Sequence, residues 1–219
     1  MRKITYLLLL LPFALYAQTG SKEANALLDK AVAAIKNDAA VQMDYYYKVM
    51  DDDGSVVQQD EGVIKLDGDK YALIMGNMKV WCNGKVQWSY MKDINEIYIT
   101  DAKSDEAQNL SPLSVMEMYR AGYVSSLAQR GDVSVVTLRA AKAGAEISKV
   151  ELHFAKGSNR LSAMFIHMAG QGSVEVRMKN YSAKCKFGKN QYECPVKQYP
   201  TAEIVDMRET IKNNILWIE

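Results

Sequence analysis

The residue types that most often do chemistry are few in this chain and do not form a recognisable set. The histidines are His153 and His167, and both fall on predicted strands. The sequence contains no Gly-x-Ser-x-Gly, no glycine-rich phosphate loop and no His-Glu-x-x-His motif. No Cys or His pair has the spacing of a metal site. We therefore predict a protein that is not an enzyme and that uses no cofactor or metal.

The three cysteines are Cys82, Cys185 and Cys194, so at least one thiol stays unpaired. Cys185 and Cys194 flank the polar stretch KFGKNQYE, which could join two antiparallel strands. This pair is the disulfide candidate, and closing the loop would contribute roughly 2–3 kcal/mol. The alternative is that all three are buried, inert thiols.

The net charge of the chain indicates which partners it can have, and its N-terminal residues indicate where it is located. The formal net charge of the 219 residues is +1 without a basic stripe, which argues against nucleic acid as a partner. Arg2-Lys3, the apolar run Leu7–Leu15 and Ala17 have the pattern of a secretory signal peptide. We predict a signal peptide over residues 1–17, one domain over 18–219, and a soluble, exported protein.

The clearest local signal is the stretch KVWCNGKVQWSY, Lys79–Tyr90. Asn83-Gly84 lies between two runs of β-forming residues, and this dipeptide favours a tight hairpin turn. Val86, Trp88 and Tyr90 then share one face of the second strand because side chains alternate along a strand. The open question is whether this aromatic face meets a packed core or a ligand.

Two helices are predicted. Ser21–Asn37 has apolar residues at i, i+3 and i+4 over three turns and is amphipathic. Residues 101–131 interrupt a series of strands, and Ser111-Pro112 supplies an N-cap and an N1 proline for a short helix, Leu113–Ala121. An insertion of this size is typical of a lid or crossover, although a connecting loop is the commoner explanation.

The rest of the chain is predicted to be β structure with short connections, which favours sequential antiparallel neighbours. About ten or eleven strands in one sheet would curl and enclose an inner face. The predicted strands are Val41–Met50, Ser55–Leu66, Lys70–Met75, the hairpin at Val80–Tyr90, Ile94–Thr100, Asp132–Ala141, Glu146–Lys156, Leu161–Met168, Ser173–Lys186, Gln191–Val196 and Glu203–Asp206.

Methionine and tyrosine are abundant, with twelve and thirteen copies. Methionine adapts to irregular shapes and is over-used on surfaces that accept varied apolar partners. Ordinary core filling explains the same composition, so composition alone leaves both interpretations open.

The order of these signals resembles the LolA-type periplasmic lipoprotein carriers. The family's FxAxFxQ strand reads Val41-Gln42-Met43-Asp44-Tyr45-Tyr46-Tyr47 here. Its DGK-x-x-W-x-Y hairpin reads Asn83-Gly84-Lys85-Val86-Gln87-Trp88-Ser89-Tyr90, and its F-x-F…V-D-x-R segment reads Tyr192-Glu193-Cys194…Val205-Asp206-Met207-Arg208. The order over nearly the whole chain after the signal peptide carries the resemblance, since each motif is short.

The resemblance implies a mainly β (α+β) fold, a half-open antiparallel β-barrel whose apolar inner face is covered by helices. It implies a soluble, monomeric carrier in the periplasm for the acyl chains of lipoproteins or other lipids, which are taken from an inner-membrane exporter and passed to an outer-membrane acceptor. The residues expected to line the cavity and lid are Leu28, Val32, Met43, Tyr45, Tyr47, Leu73, Met75, Trp88, Tyr90, Met116 and Tyr119.

One feature departs from the family. Proteobacterial members carry an Arg-Pro pair before the segment that corresponds to Tyr71, and that Arg helps to hold the lid. Here Ile64–Lys70 has no such pair, and Lys65 is the nearest basic residue. This pattern is more similar to the divergent carriers of Bacteroidetes. The alternative function is a lipid-sensing regulatory domain similar to RseB, which shares the fold.

Overall fold

The computed structural model describes residues 20–104, 107 and 112–208. The predicted signal peptide, the predicted N-cap Ser111 and the tail at 209–219 lie outside the described residues. A search of the described helices for one with the length and hydropathy to cross a bilayer finds none.

The described chain forms two helices, two single 3₁₀ turns and twelve strands. The helices are α1 (Lys22–Asn37) and α2 (Pro112–Glu117), and the 3₁₀ turns are Met118–Arg120 and Val196–Gln198. The strands are β1 (Val41–Met50), β2 (Val56–Asp67), β3 (Lys70–Met75), β4 (Met78–Cys82), β5 (Val86–Met91), β6 (Glu96–Asp101), β7 (Tyr123–Arg130), β8 (Val133–Ala140), β9 (Ile147–Ala155), β10 (Leu161–Met168), β11 (Ser173–Ser182) and β12 (Glu203–Asp206).

All twelve strands belong to one sheet in the order β12-β6-β5-β4-β3-β2-β1-β11-β10-β9-β8-β7. Each neighbouring pair is antiparallel except β12, which runs parallel to β6. Strands β12 and β7 form the two edges, so the curled sheet stays open. This arrangement confirms the predicted half-open, mainly β barrel, with twelve strands where about ten or eleven were expected.

Most predicted elements are present, and three differ. Strand β7 was missed because it is an edge strand in which only Ser125 is buried, so its sequence does not alternate. Residues 191–196 form no strand, because the chain there lies across the outer face of the sheet in turns. The helix expected at Leu113–Ala121 is α2 followed by a 3₁₀ turn.

The buried apolar residues form two clusters on the inner face. One packs α1 and α2 against strands β8–β10, and the other joins β1–β4 to β11. Helix α1 is capped by Ser21, whose hydroxyl accepts the Ala24 N–H at 3.2 Å, and it presents Leu28 and Val32 to the first cluster. Ile35 and Met164 contact both clusters, so the inner face continues from one to the other.

Candidate ligand-binding site

A cavity of about 290 Å³ lies where the two core clusters meet, between the inner face of the sheet and the helices. This volume is at the lower end of the range of about 300–1,000 Å³ that is common for ligand pockets. The lining is almost wholly apolar. It consists of Ala34, Ile35, Met43, Tyr45, Ile64, Leu66, Leu73, Met75, Met78, Leu113, Val115, Met116, Glu146, Ile147, Asn159, Arg160, Leu161, Met164, Ile166, Met168, Val174, Val176, Met178 and Tyr181.

Methionine is concentrated at this cavity. Seven of the twelve methionines of the chain line it. They come from strands β1, β3, β4, β10 and β11 and from helix α2, so the fold gathers them from across the whole sequence. Unbranched, polarisable thioethers adapt to ligands of varied shape. The methionines therefore surround a space, and two of them, Met43 and Met116, also belong to the buried core clusters.

Two charged residues line the cavity, Arg160 and Glu146, and both are exposed. Since exposed residues form part of the wall, the cavity reaches solvent near each of them. The Arg160 guanidinium lies 4.4 Å from the centre of the Tyr181 ring and 3.9 Å from Asp38 Oδ2. The Tyr181 hydroxyl donates to the same Asp38 carboxylate at 2.7 Å. Burial and this bond raise the pKa of Tyr181, which therefore stays neutral.

A polar contact on the surface holds the segment after α2 against α1. The Tyr119 hydroxyl donates to Asp29 Oδ1 at 2.5 Å, and Arg120 binds the same carboxylate while its Nε donates to the Tyr119 oxygen at 2.8 Å. Arg120 also pairs with Glu117 at 3.0 Å. The hydrogen bond from Tyr119, helped by Arg120, lowers the pKa of Asp29. Helices α1 and α2 and this 3₁₀ turn form the helical cover of the cavity. The contact holds parts of the cover together at the surface, where its side chains stay exposed.

Five of the predicted residues line the cavity. They are Met43, Tyr45, Leu73, Met75 and Met116. The Tyr45 ring lies against Gly62, where a Cβ atom would come within 2.3 Å of the ring, and its hydroxyl donates to the Ile74 carbonyl at 2.9 Å. Burial raises the pKa of Tyr45, so it faces the cavity as a neutral ring.

Four other predicted residues support the cavity without lining it. Leu28 and Val32 are buried in the cluster beneath α1. Tyr47 is buried next to Tyr45, and its hydroxyl accepts a hydrogen bond from Gln58 at 2.9 Å. Tyr119 packs on the α1 cluster through its ring and reaches Asp29 through its hydroxyl.

The prediction that Trp88 and Tyr90 line the cavity is wrong for this structure. Trp88 pairs with Trp81, and Tyr90 pairs with Lys79, on the outer face of the sheet. The inner face of β5 carries Gln87 and Ser89 instead. The alternation was predicted correctly, but a hairpin sequence cannot state which of its faces turns inward.

The outer face of the hairpin is covered by the segment at 183–202. The Tyr199 ring lies 4.3 Å from that of Tyr90 and 6.1 Å from that of Trp81, measured between centroids. Lys65, the basic residue closest to the missing Arg-Pro pair, donates to Gln191 at 3.2 Å on the same side. Lys65 therefore holds this segment on the outer face of the sheet, opposite to the helices.

The cysteines are unpaired in the structure. The predicted disulfide between Cys185 and Cys194 is not formed in this structure, in which the segment around Cys194 makes turns instead of a second hairpin strand. Cys82 lies on the inner face, where burial raises the pKa of its thiol, and burial raises the pKa of Cys194 to about 11. These shifts favour the unreactive thiol form.

The part of the cavity wall that strands β9–β11 contribute contains none of the residues predicted from sequence. The missed residues include Ile147, Leu161, Met164, Ile166, Met168, Val174, Val176, Met178 and Tyr181. Alternation of Met164, Ile166 and Met168 within β10 was visible, but nothing in the sequence indicated that β11 pairs with β1 and brings this wall opposite the first one.

Known proteins show which family and fold the chain shares. No curated protein matches it. An uncharacterized conserved protein from Thermus thermophilus is similar in structure at a TM-score of 0.54 and 11% identity, over 84% of this chain and 99% of that one, which shows a shared fold. A LolA superfamily protein from Nitrosomonas europaea aligns at a TM-score of 0.44 and 8% identity, over 79% and 98% of the two chains.

The mycobacterial lipoprotein LppX aligns at a TM-score of 0.41 and 13% identity, over 76% of this chain and 98% of its own. The profile of the family described as "Outer membrane lipoprotein carrier protein LolA" matches residues 13–172. This span includes both helices and most of the cavity wall, and the chain belongs to that family.

Proposed function

We propose that the protein is a periplasmic carrier that binds the acyl chains of lipoproteins in the methionine-lined cavity and delivers them to the outer membrane. The single observation that carries this proposal is the apolar cavity with seven methionines in its wall. Membership of the carrier family supports it.

The energetics suit a carrier. Each buried methylene contributes about 0.8 kcal/mol, so one long acyl chain offers on the order of 10 kcal/mol without any covalent step. Nothing in the cavity wall needs to react with the ligand. The uncharged tyrosines Tyr45 and Tyr181 add apolar ring surface instead of a nucleophile.

A carrier must also release its load, and the helical cover supports this requirement. The cavity of about 290 Å³ is small for several acyl chains, so loading requires α1 and α2 to move away from the sheet. The exposed contact between Asp29, Tyr119 and Arg120 is of a kind that contributes little to stability, which permits such opening. The closed cover and the lipid then compete for the same apolar wall.

The proposal is tested by purifying the protein from the periplasm of its own cells and recording native mass spectra. We expect a population carrying acylated peptide, and we expect the unloaded protein to release lipoproteins from spheroplasts. A protein that is always empty and releases nothing would contradict the proposal. Lipid binding without release would favour the sensing domain similar to RseB.

A further inference from the structure

The two charged residues of the cavity wall have opposite signs and lie at opposite ends. Arg160 is adjacent to Leu161 at the start of β10, and Glu146 precedes Ile147 beside the end of the same strand. Strand β10 runs between them and contributes Met164 and Ile166 to the wall. A ligand lying along β10 therefore meets a cation at one end and an anion at the other.

The loops around each end extend this polarity. Near Arg160, the β9–β10 turn also carries Lys156, and Lys184 donates its backbone N–H to the Asp38 carbonyl at 3.1 Å. Asp38 is the anion of this group, and it already accepts from Tyr181. The Arg160 guanidinium and Asp38 are 3.9 Å apart, which is too far for a hydrogen bond. Because the Arg160 side chain is 62% exposed, its N–H groups can donate to a ligand.

The Glu146 end is acidic. The Glu146 carbonyl accepts the Ala169 N–H at 2.9 Å, and the Gly172 N–H in the same turn donates to the Asp52 side chain at 2.8 Å. Asp51 and Asp53 flank Asp52 in this loop, and Lys142 is the basic residue of the β8–β9 loop. An anionic headgroup is disfavoured at this end by like charge.

From this geometry we propose that the cavity selects amphiphiles with an anionic group next to their acyl chain and binds them with that group at Arg160. The inference rests on the proposed function and adds the class and orientation of the ligand. The anionic group could be the phosphate of a lipid headgroup or the carboxylates of acidic residues that follow an acylated cysteine. Arg binds either through its planar set of donors.

The test is a competition in native mass spectrometry between two single-chain lipids with the same acyl chain. Lysophosphatidylglycerol carries an anionic phosphate, whereas the corresponding monoacylglycerol has no charged group. We expect the protein to prefer the anionic lipid by about two- to fivefold, the range for a partly exposed charge pair. Arg160→Gln should abolish this preference by weakening binding of the anionic lipid, and Arg160→Lys should restore part of it.

Arg177→Gln is the matched control. Arg177 is 61% exposed, stacks 5.6 Å from the centre of the Phe165 ring and pairs with Glu175, but it lies on the outer face. We expect it to keep the preference of the unchanged protein. A second pair of ligands identifies the source of the anionic group: diacylated peptides with Asp or Asn after the acylated cysteine. A preference for Asp indicates acidic lipoproteins, and a preference confined to lysophosphatidylglycerol over monoacylglycerol indicates a headgroup.

Equal binding of both members in both ligand pairs would overturn this inference while leaving the carrier function intact. An equal loss of the preference in Arg160→Gln and Arg177→Gln would have the same consequence. Failure to bind any of the four amphiphiles would contradict the proposed function itself.

Discussion

The two faces of strands β3–β5 differ in what they contact. The inner face presents Leu73, Met75 and Met78 to the cavity. The outer face presents Trp81 and Trp88 to the segment at 183–202 and to solvent. The same strands therefore carry flexible thioethers toward a space and rigid aromatic rings toward a fixed segment of the chain.

The difference follows from the physical chemistry of the two side-chain types. Aromatic rings have few rotamers and pair in defined geometries, as the 4.3 Å contact between Tyr90 and Tyr199 illustrates. Methionine has more rotatable bonds, so its packing geometry is less defined, but it fits partners of varied shape. Aromatic residues in this hairpin thus belong to fixed packing, whereas the methionines form the surface that we propose accepts different occupants.

The largest expected effect comes from placing a carboxylate on each face in turn. Met75 lines the cavity, whereas its neighbour Ile74 is exposed on the outer face of the same strand. Met75→Glu should weaken binding of a long-chain amphiphile by more than about tenfold, because a buried charge is costly beside an acyl chain. Ile74→Glu should leave affinity within about twofold. Isothermal titration measures both, and equal losses would break the comparison.

A smaller effect is expected from loosening the outer face. Tyr199→Ala removes the ring that covers Tyr90, and the free energy of unfolding should fall by about 1–3 kcal/mol. Tyr46→Ala, at a tyrosine that is 48% exposed on the same side of the sheet, should cost less than about 0.5 kcal/mol. Urea denaturation gives both values. Amphiphile affinity should stay the same in both variants, and a large loss in Tyr199→Ala would connect the outer face to the ligand.

The smallest effect concerns the cover. Because the pKa of Asp29 is lowered in the folded protein, its contact with Tyr119 and Arg120 is present above the unfolded pKa of about 3.9 and is lost as the pH falls through the folded value. Asp29→Asn removes the carboxylate charge and should weaken this contact already at neutral pH. Amide hydrogen exchange over residues 112–120 should then become about two- to fivefold faster. Asp206→Asn, a paired carboxylate at the sheet edge, is the control and should not change that segment. Unchanged exchange in Asp29→Asn would show that the contact does not restrain the cover.

Much of the fold could be predicted from sequence because the strands that bury one face alternate clearly. In β1 the buried residues Val41, Met43, Tyr45 and Tyr47 alternate with less buried ones, and the predicted bounds match the structure. Edge strand β7 lacks this alternation because only one of its residues is buried, so no local signal separated it from a loop.

The site was predicted in part, and the reason lies in long-range pairing. Met43, Tyr45 and Leu73 were found because their strands adjoin in sequence and share one face. The opposite wall depends on the pairing of β1 with β11, such as Tyr45 with Met178, across more than half of the chain. Whether the Trp88 face turns inward or outward depends on the side of the sheet on which α1 and the 183–202 segment pack. The hairpin sequence does not contain this information.

The most direct test of the central claim is photolabelling with a diazirine-bearing long-chain fatty acid, followed by mass spectrometric mapping of the modified residues. We predict labels on the cavity wall, at Met75, Met164 and Met178, and none on the outer pair Trp81 and Trp88. Labelling of the tryptophans without labelling of the methionines would contradict the account, because it would place the acyl chain on the opposite face of the sheet.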